Sequence, residues 1–307
     1  MTLLDTLTPR VLSIAGTDPT GGAGIQADLK SIAASGGYGM CATTALVAQN
    51  TRGVRSIFAP PTKFLEEQLA AVFDDVTVDA VKIGMLGDVE TITTVKTWLA
   101  EHPVPVVVLD PVMVASSGDR LISQDAEQAL RELVAQADVI TPNIAELAVL
   151  CESNPAQTLE EAHSQAAQLA GSTGTIVIVK GGHLTGEDAG NSAVFPDGTH
   201  THVAVVRIQT KNTHGTGCSL SSSLATRLGL ALVNGNKELN ARVLTNALAW
   251  STRWLNEAII AGEALQVGSG QGHGPVDHQA RARRLERAAD TKPWEHLYAA
   301  EELTGEN

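Results

Sequence analysis

Short runs rich in apolar and β-branched residues alternate with stretches of helical period along the whole chain. Residues 11–15 read as a strand. Residues 24–35 read as a helix, with Ile25, Leu29 and Ile32 at helical spacing. Residues 43–48 and 54–59 read as strands. Residues 63–76 read as a helix that places Phe64, Leu65, Leu69, Val72 and Phe73 on one face. Residues 81–83, 104–110, 139–141 and 175–180 are short apolar runs expected as buried strands, with helices at 89–100, 123–136 and 159–170 between them. The pattern then changes: 189–195 and 200–206 predict a hairpin turning at Pro196, Asp197 and Gly198. Two longer helices are expected at 218–232 and 237–261. Alternation of this kind predicts an α/β fold, a mostly parallel central sheet with helices on both faces. No internal repeat or low-complexity linker divides it. Residues 1–9 are expected as an N-terminal extension and 10–278 as one domain. Residues 279–307 are expected as a tail, helical or frayed, in which Arg281, Arg283, Arg284 and Arg287 give way to an acidic end.

Composition narrows the function classes. Of 307 residues, 43% are apolar and 18% charged, a mix that builds a sizeable core rather than a disordered chain. Twenty-one basic against thirty-four acidic side chains give −13, which disfavours nucleic acid and anionic membrane as partners. Aromatic residues, at 3%, are too few for base-stacking platforms. Cys41, Cys151 and Cys218 form no disulfide framework and point to a reducing compartment. The longest clean apolar stretch, 104–109, contains Pro105 and is far short of the roughly 20 residues a membrane span needs. The first nine residues carry Asp5 and no basic n-region, so no secretory signal is read there and a cytoplasmic protein is expected.

In doubly wound sheets, ligands bind beyond the carboxyl ends of the strands. Six expected strands end in polar or glycine-rich segments: Gly16 to Gly24, Gln49-Asn50, Gly84-Met85, Asp110-Pro111, Thr141 to Glu146, and Lys180-Gly181-Gly182. That series predicts a site along the sheet edge. In Asn212-Thr213-His214-Gly215-Thr216-Gly217-Cys218, two glycines bracket a threonine ahead of a helical run. Backbone N–H groups of Gly215, Thr216 and Gly217 are free there to meet an anion, and the helix dipole adds about half a positive charge. A phosphate fits this place; so does a loop that merely caps a helix. Cys218 lies in the first turn, where the dipole favours thiolate and lowers the pKa from about 8.5. It can take a proton from an alcohol attacking a phosphate, or be a small buried apolar residue; Cys41 and Cys151 have no such setting.

Asp110 and Glu146 suit Mg2+, which needs only one or two carboxylates beside waters and phosphate oxygens. An N-cap and a surface acid are their plainer roles. Lys180 can neutralise phosphate charge or reach into solvent. Gln49 and Asn50 suit a neutral heterocycle, and Asp28 can accept from an amine or hydroxyl. Glycines 21, 22 and 24 could hinge a flap. Gly22-Ala23-Gly24-Ile25-Gln26-Ala27 matches a loose dinucleotide fingerprint, but too far from its strand and without an acid after the second strand, so a nicotinamide oxidoreductase is the weaker reading. No P-loop, zinc helix, C-x-x-C or nucleophile elbow is present. His163, His183, His214 and the C-terminal histidines are not at metal spacings, and most of them are expected to face solvent.

Together these segments resemble the hydroxymethylpyrimidine/phosphomethylpyrimidine kinases of thiamine biosynthesis. The resemblance is carried by residues 14–28, 43–51, 82–86, 110–113, Thr141-Pro142-Asn143 with Glu146, 180–183, 213–218 and 272–276, and covers about 10–278. It implies a ribokinase-like single domain, ATP and Mg2+ as cofactors, and a homodimer. It also implies phosphorylation of 4-amino-5-hydroxymethyl-2-methylpyrimidine and then of its monophosphate. On this resemblance Gly215, Thr216 and Gly217 form the anion hole and Cys218 is the base. Lys180 contacts phosphate, Asp110 and Glu146 serve the metal, and Gly16, Asp28, Gln49 and Met85 bind the pyrimidine. Pyridoxal kinase is the sister activity, and a silent pyrimidine-binding descendant shares the same pattern. The chain runs about thirty residues past the His273-Gly274-Pro275 segment, where many members stop.

Overall fold

The structure is a computed structural model that describes residues 6–113 and 122–289. Among the described residues nine strands form one sheet: β1 (Arg10–Gly16), β2 (Tyr38–Asn50), β3 (Gly53–Phe58), β4 (Ala80–Ile83), β5 (Val107–Leu109), β6 (Val139–Ile140), β7 (Ile176–Lys180), β8 (Asn191–Val194) and β9 (His200–Val203). Their order is β3-β2-β1-β4-β5-β6-β7-β8-β9. From β2 to β7 every pairing is parallel, and β3, β8 and β9 add antiparallel edges. The helices are α1 (Gly24–Ala34), α2 (Thr62–Phe73), α3 (Val89–Glu101), α4 (Gln124–Val134), α5 (Ile144–Leu150), α6 (Leu159–Thr173), α7 (Thr216–Val233), α8 (Ala241–Ala261) and α9 (Ala280–Ala289).

Strand side chains alternate between two buried faces. Leu12, Ile14, Val81, Ile83 and Leu109 pack with Leu65 of α2, Ile92 of α3, Leu133 of α4 and Ala166 of α6. Val11, Ala80, Val108 and Ile178 pack on the other face with Ile32 of α1, Leu228 of α7 and Leu244 of α8. The α/β architecture and the terminal hairpin expected from the pattern are present. Among the described residues no helix is long and apolar enough to cross a membrane.

Several expected boundaries move for physical reasons. The strand expected from 104 starts at Val107, because Pro105 has no N–H to give a ladder. Phe64 is 54% exposed, lying about 100° off the stripe that buries Leu65 and Leu69. The helix expected from 237 begins at Ala241, where the Asn240 side chain accepts from Val243 N–H. In the tail, α9 forms and docks on α8 through Arg281, which pairs with Glu257 at 2.9 Å and lies over Trp250. The rest of the tail, from 290 on, and residues 1–5 lie outside the described residues.

Candidate active site

The carboxyl ends of the central strands open onto one cavity of about 660 Å3. Gly16, Gln49, Met85, Asp110, Glu146, Lys180, Gly215, Thr216, Gly217 and Cys218 all line it. Asp28 is the one expected site residue that does not.

One stretch of wall is apolar. Met85 packs with Ala45 and Val47, and Val112 lies against them. A Cβ at position 16 would fall 2.7 Å from the Met85 methyl, so glycine there lets the thioether cover the wall. Gln49 follows an irregularity in the β2–β3 ladder that re-aims its side chain. Its Nε2 donates to Thr17 O at 3.3 Å, which leaves the carbonyl oxygen to a ligand.

The second stretch is the head of α7. Gly215 is its N-cap in the left-handed region, φ 78°, and no side chain caps it. Thr216 N–H is drawn back to Thr213 O at 3.3 Å. Among the described residues, the N–H groups of Gly215, Gly217 and Cys218 have no backbone or side-chain partner, so Gly217 and Cys218 in the helix head are open to an anion with Gly215 before them, and Thr216, expected among the donors, is not. A Cβ on Gly217 would meet Lys180 Nζ at 3.4 Å and Asp110 Oδ2 at 3.5 Å. The anion site therefore borders the third stretch.

There, Asp110 Oδ1 accepts from Lys180 Nζ and Thr141 Oγ1, each at 2.9 Å. Neither plainer role holds: Asp110 caps no helix, and Lys180 is turned in from solvent onto Asp110. Burial pushes Asp110 up, but Lys180 and Lys82 outweigh it and hold the carboxyl below its usual range. Glu146 completes a capping box, its Oε2 accepting from Asn143 N–H at 2.8 Å and its N–H donating to Asn143 Oδ1 at 2.9 Å. Burial pushes its carboxyl up to about 7, with Lys180 pulling against it. Glu146 makes no salt bridge among the described residues, although it is only 6% exposed. Among those residues no three His, Cys, Asp or Glu side chains cluster as a metal cage. Two carboxylates on one wall, one of them buried without an ion-pair partner, fit a Mg2+ that keeps waters and phosphate oxygens.

Three expectations are corrected. Asp28 does not reach the cavity. It is fully buried and accepts from Lys82 Nζ at 2.8 Å, Ser13 Oγ at 2.6 Å and Ser222 Oγ at 2.7 Å, so its acceptor sites are taken by the protein. Cys218 is not a resting thiolate: burial pushes its thiol up to about 11, and Lys82 pulls only partly against it. His214 is not solvent-facing but 7% exposed, with Nε2 on Asp18 Oδ2 at 2.7 Å; His278 is buried as well.

Two cavity residues, Lys82 and Arg207, and one buried loop anchor outside the lining, Asp18, went unread in the sequence. Lys82 is fully buried yet lines the cavity, and its signal was a lysine inside an otherwise apolar strand. Asp18 anchors the first glycine-rich loop. Arg207 donates to the carbonyls of Gly182 at 2.7 Å and Leu184 at 2.6 Å, shaping the loop after β7; nothing local in the sequence marks it.

The family model for phosphomethylpyrimidine kinase matches residues 18–277. The chain is 60% identical over 291 residues to the thiamine biosynthesis multifunctional protein ThiED of Corynebacterium glutamicum. That match covers 95% of the chain and 37% of the relative, so the chain spans just over a third of that protein's length. It is 42% identical to the hydroxymethylpyrimidine/phosphomethylpyrimidine kinase of Escherichia coli, covering 87% of this chain and 96% of that one. An ADP complex of Bacillus subtilis pyridoxal kinase superposes with a TM-score of 0.78 at 32% identity, over 90% of this chain and 99% of that one. With a family match over most of its length, and near-complete coverage of the Escherichia coli relative, the chain belongs to the phosphomethylpyrimidine kinase family.

Proposed function

We propose that this chain phosphorylates 4-amino-5-hydroxymethyl-2-methylpyrimidine with ATP and Mg2+, and then its monophosphate to the diphosphate, in thiamine biosynthesis. The observation that carries the proposal is the convergence of Cys218, the free N–H groups of Gly217 and Cys218, and the Lys180–Asp110 pair on one cavity beside an apolar heterocycle wall. In the first step the hydroxymethyl oxygen attacks the γ-phosphorus of ATP. Its proton passes to Cys218 in its thiolate form, the minor form near neutral pH, and the bond to the bridging oxygen breaks to release ADP. The head of α7 and Lys180 stabilise the phosphoryl oxygens, the main task in a transfer of loose transition state. Asp110 and Glu146 would hold Mg2+, which would neutralise phosphate charge. Gln49 holds the pyrimidine edge against Met85. Asp28, walled off from the cavity, serves the site through Lys82.

The likeness to a pyridoxal kinase supports one other reading, a pyridoxal-type substrate. The deciding experiment is phosphate transfer from ATP, comparing hydroxymethylpyrimidine, its monophosphate and pyridoxal. Turnover of both pyrimidines with little on pyridoxal supports the proposal. Preference for pyridoxal moves the substrate and keeps the chemistry. No turnover on any of the three leaves a silent binder. A homodimer is part of the proposal: Leu46, Ile57 and Phe58 offer exposed apolar surface on β2 and β3, and a solution mass of 32.0 kDa would refute it.

Two variants test separate parts of the wall. Gln49→Ala is expected to raise KM for the pyrimidine by about tenfold and leave KM for ATP nearly unchanged, since it removes one directed hydrogen bond to a neutral ring. Equal weakening of both ligands would remove Gln49 from the pyrimidine site. Glu146→Gln is expected to move the Mg2+ concentration for half-maximal rate upward by about tenfold or more. An unchanged Mg2+ titration would take Glu146 out of the metal's surroundings.

A further inference from the structure

Two distant loops converge on the carboxylate of Asp18, which is fully buried. Its Oδ1 accepts from Thr20 N–H at 2.9 Å and Thr20 Oγ1 at 2.8 Å. Its Oδ2 accepts from Gly22 N–H at 3.1 Å and Ala23 N–H at 2.8 Å. These four bonds shape the loop between β1 and α1. The fifth, from His214 Nε2 at 2.7 Å, reaches the loop that opens α7. An ionised carboxylate only accepts, so Nε2 must carry the hydrogen. The bonds from His214 and Thr20 outweigh burial and hold Asp18 at about 2, so it stays ionised.

The loop backbones touch where this bond forms. A Cβ on Gly215 would sit 1.8 Å from Gly22 O, and one on Gly22 would sit 2.5 Å from His214 Cδ2. On its other side, His214 N–H donates to Gly274 O at 3.0 Å. His214 is thus held from two directions, immediately before Gly215. α7 has no capping side chain of its own; Thr216 bonds back to Thr213 O through its N–H and its hydroxyl, and His214 ties that turn to the first loop.

We infer that Asp18 and His214 are a positioning pair that aims the N–H groups of Gly217 and Cys218 at the transferring phosphoryl, and with them the Cys218 sulfur at the attacking hydroxyl. The inference rests on the phosphotransfer reading above. A glycine-rich turn supplies charge without rigidity, and a misplacement of about 1 Å can cost about 10²-fold in rate. The first glycine-rich loop is on this account a clamp on the anion site, and not the flap its glycines suggested.

The test compares His214→Phe, which keeps a ring and loses the donor, with His214→Gln, which keeps a donor. His214→Phe is expected to lower kcat by about 10–10²-fold with both KM values within about threefold. His214→Gln is expected to recover most of the loss. Binding of ADP with vanadate, a mimic of the transferring group, should weaken in His214→Phe by a similar factor while ADP alone binds as in the unaltered chain. Equal losses in the two variants would reduce His214 to a packing residue, and an unchanged kcat in His214→Phe would overturn the pair. If His214→Phe fails to fold, Asp18→Asn and His214→Gln carry the same comparison: Asp18→Asn must lose kcat and mimic binding, His214→Gln must keep both, and any other result overturns the inference. Vanadate binding needs no pyrimidine. It therefore reads the clamp even if the unaltered chain turns over none of the three candidate substrates, a result that would sink the substrate assignment alone.

Discussion

Cys218→Ser is expected to lower kcat for phosphoryl transfer to the pyrimidine by about 10²–10⁴-fold, the usual contribution of a general base, with KM within about threefold. Serine keeps the size and the helix position but is a far weaker acid, so the basic form is lost while the cavity is preserved. The pH dependence adds a second readout. Burial raises the thiol to about 11, so the thiolate fraction grows as pH rises toward that value. Log kcat of the unaltered chain should therefore climb between about pH 7 and 9, and that climb should disappear in Cys218→Ser. A raised KM with unchanged kcat would make Cys218 a packing residue. A flat profile with the loss intact would mean that the thiolate is not the form that acts.

The helix dipole alone argues for a lowered cysteine pKa, and whether it prevails is not legible in the sequence. Helix position is legible in a sequence, and the dipole argument follows from it. Burial is not, and at Cys218 desolvation outweighs both the head of α7 and Lys82. Elsewhere the pattern carried further. Period-2 and period-3.6 runs located the central strands and most helices, because a sheet buried on two faces leaves near-continuous apolar runs. Strand ends then located Gly16, Gln49, Met85, Asp110 and Lys180 on one cavity, since parallel strands present their carboxyl ends to the same edge. What stayed hidden were pairings across long separations. Asp18 and His214 lie 196 positions apart, and each alone is an ordinary loop residue. Asp28 was read as a ligand contact because helix period alone does not say what covers a buried carboxylate. Its partner was visible in principle: in Ala80–Ile83 the lysine alternates with Val81 and Ile83, and on a sheet covered twice the alternate face is buried too.

That pair gives the largest effect expected on stability. Lys82→Met should destabilise the fold by about 3–5 kcal/mol in urea unfolding, the cost of leaving one member of a buried ion pair alone. Lys82 and Asp28 are both fully buried at 2.8 Å, and Ser13 and Ser222 complete the carboxylate's hydrogen bonds. The double variant Lys82→Met/Asp28→Asn removes both charges and should recover most of the loss, giving a coupling well above the few tenths expected of independent sites. A single-variant cost below about 1 kcal/mol would mean that water reaches the pair. The double variant also separates fold from chemistry. Ser222 lies one helical turn after Cys218 on α7 and donates to Asp28, so the pair sits beneath the cysteine, and Lys82 is the cation that favours its thiolate. With the fold restored and that cation absent, kcat should remain depressed while KM for the pyrimidine stays near its original value. A raised pyrimidine KM would instead return Asp28 to direct contact with the substrate. A depressed kcat at constant KM would place it where its bonds place it, one residue removed from the reacting atoms, holding Lys82 for Cys218.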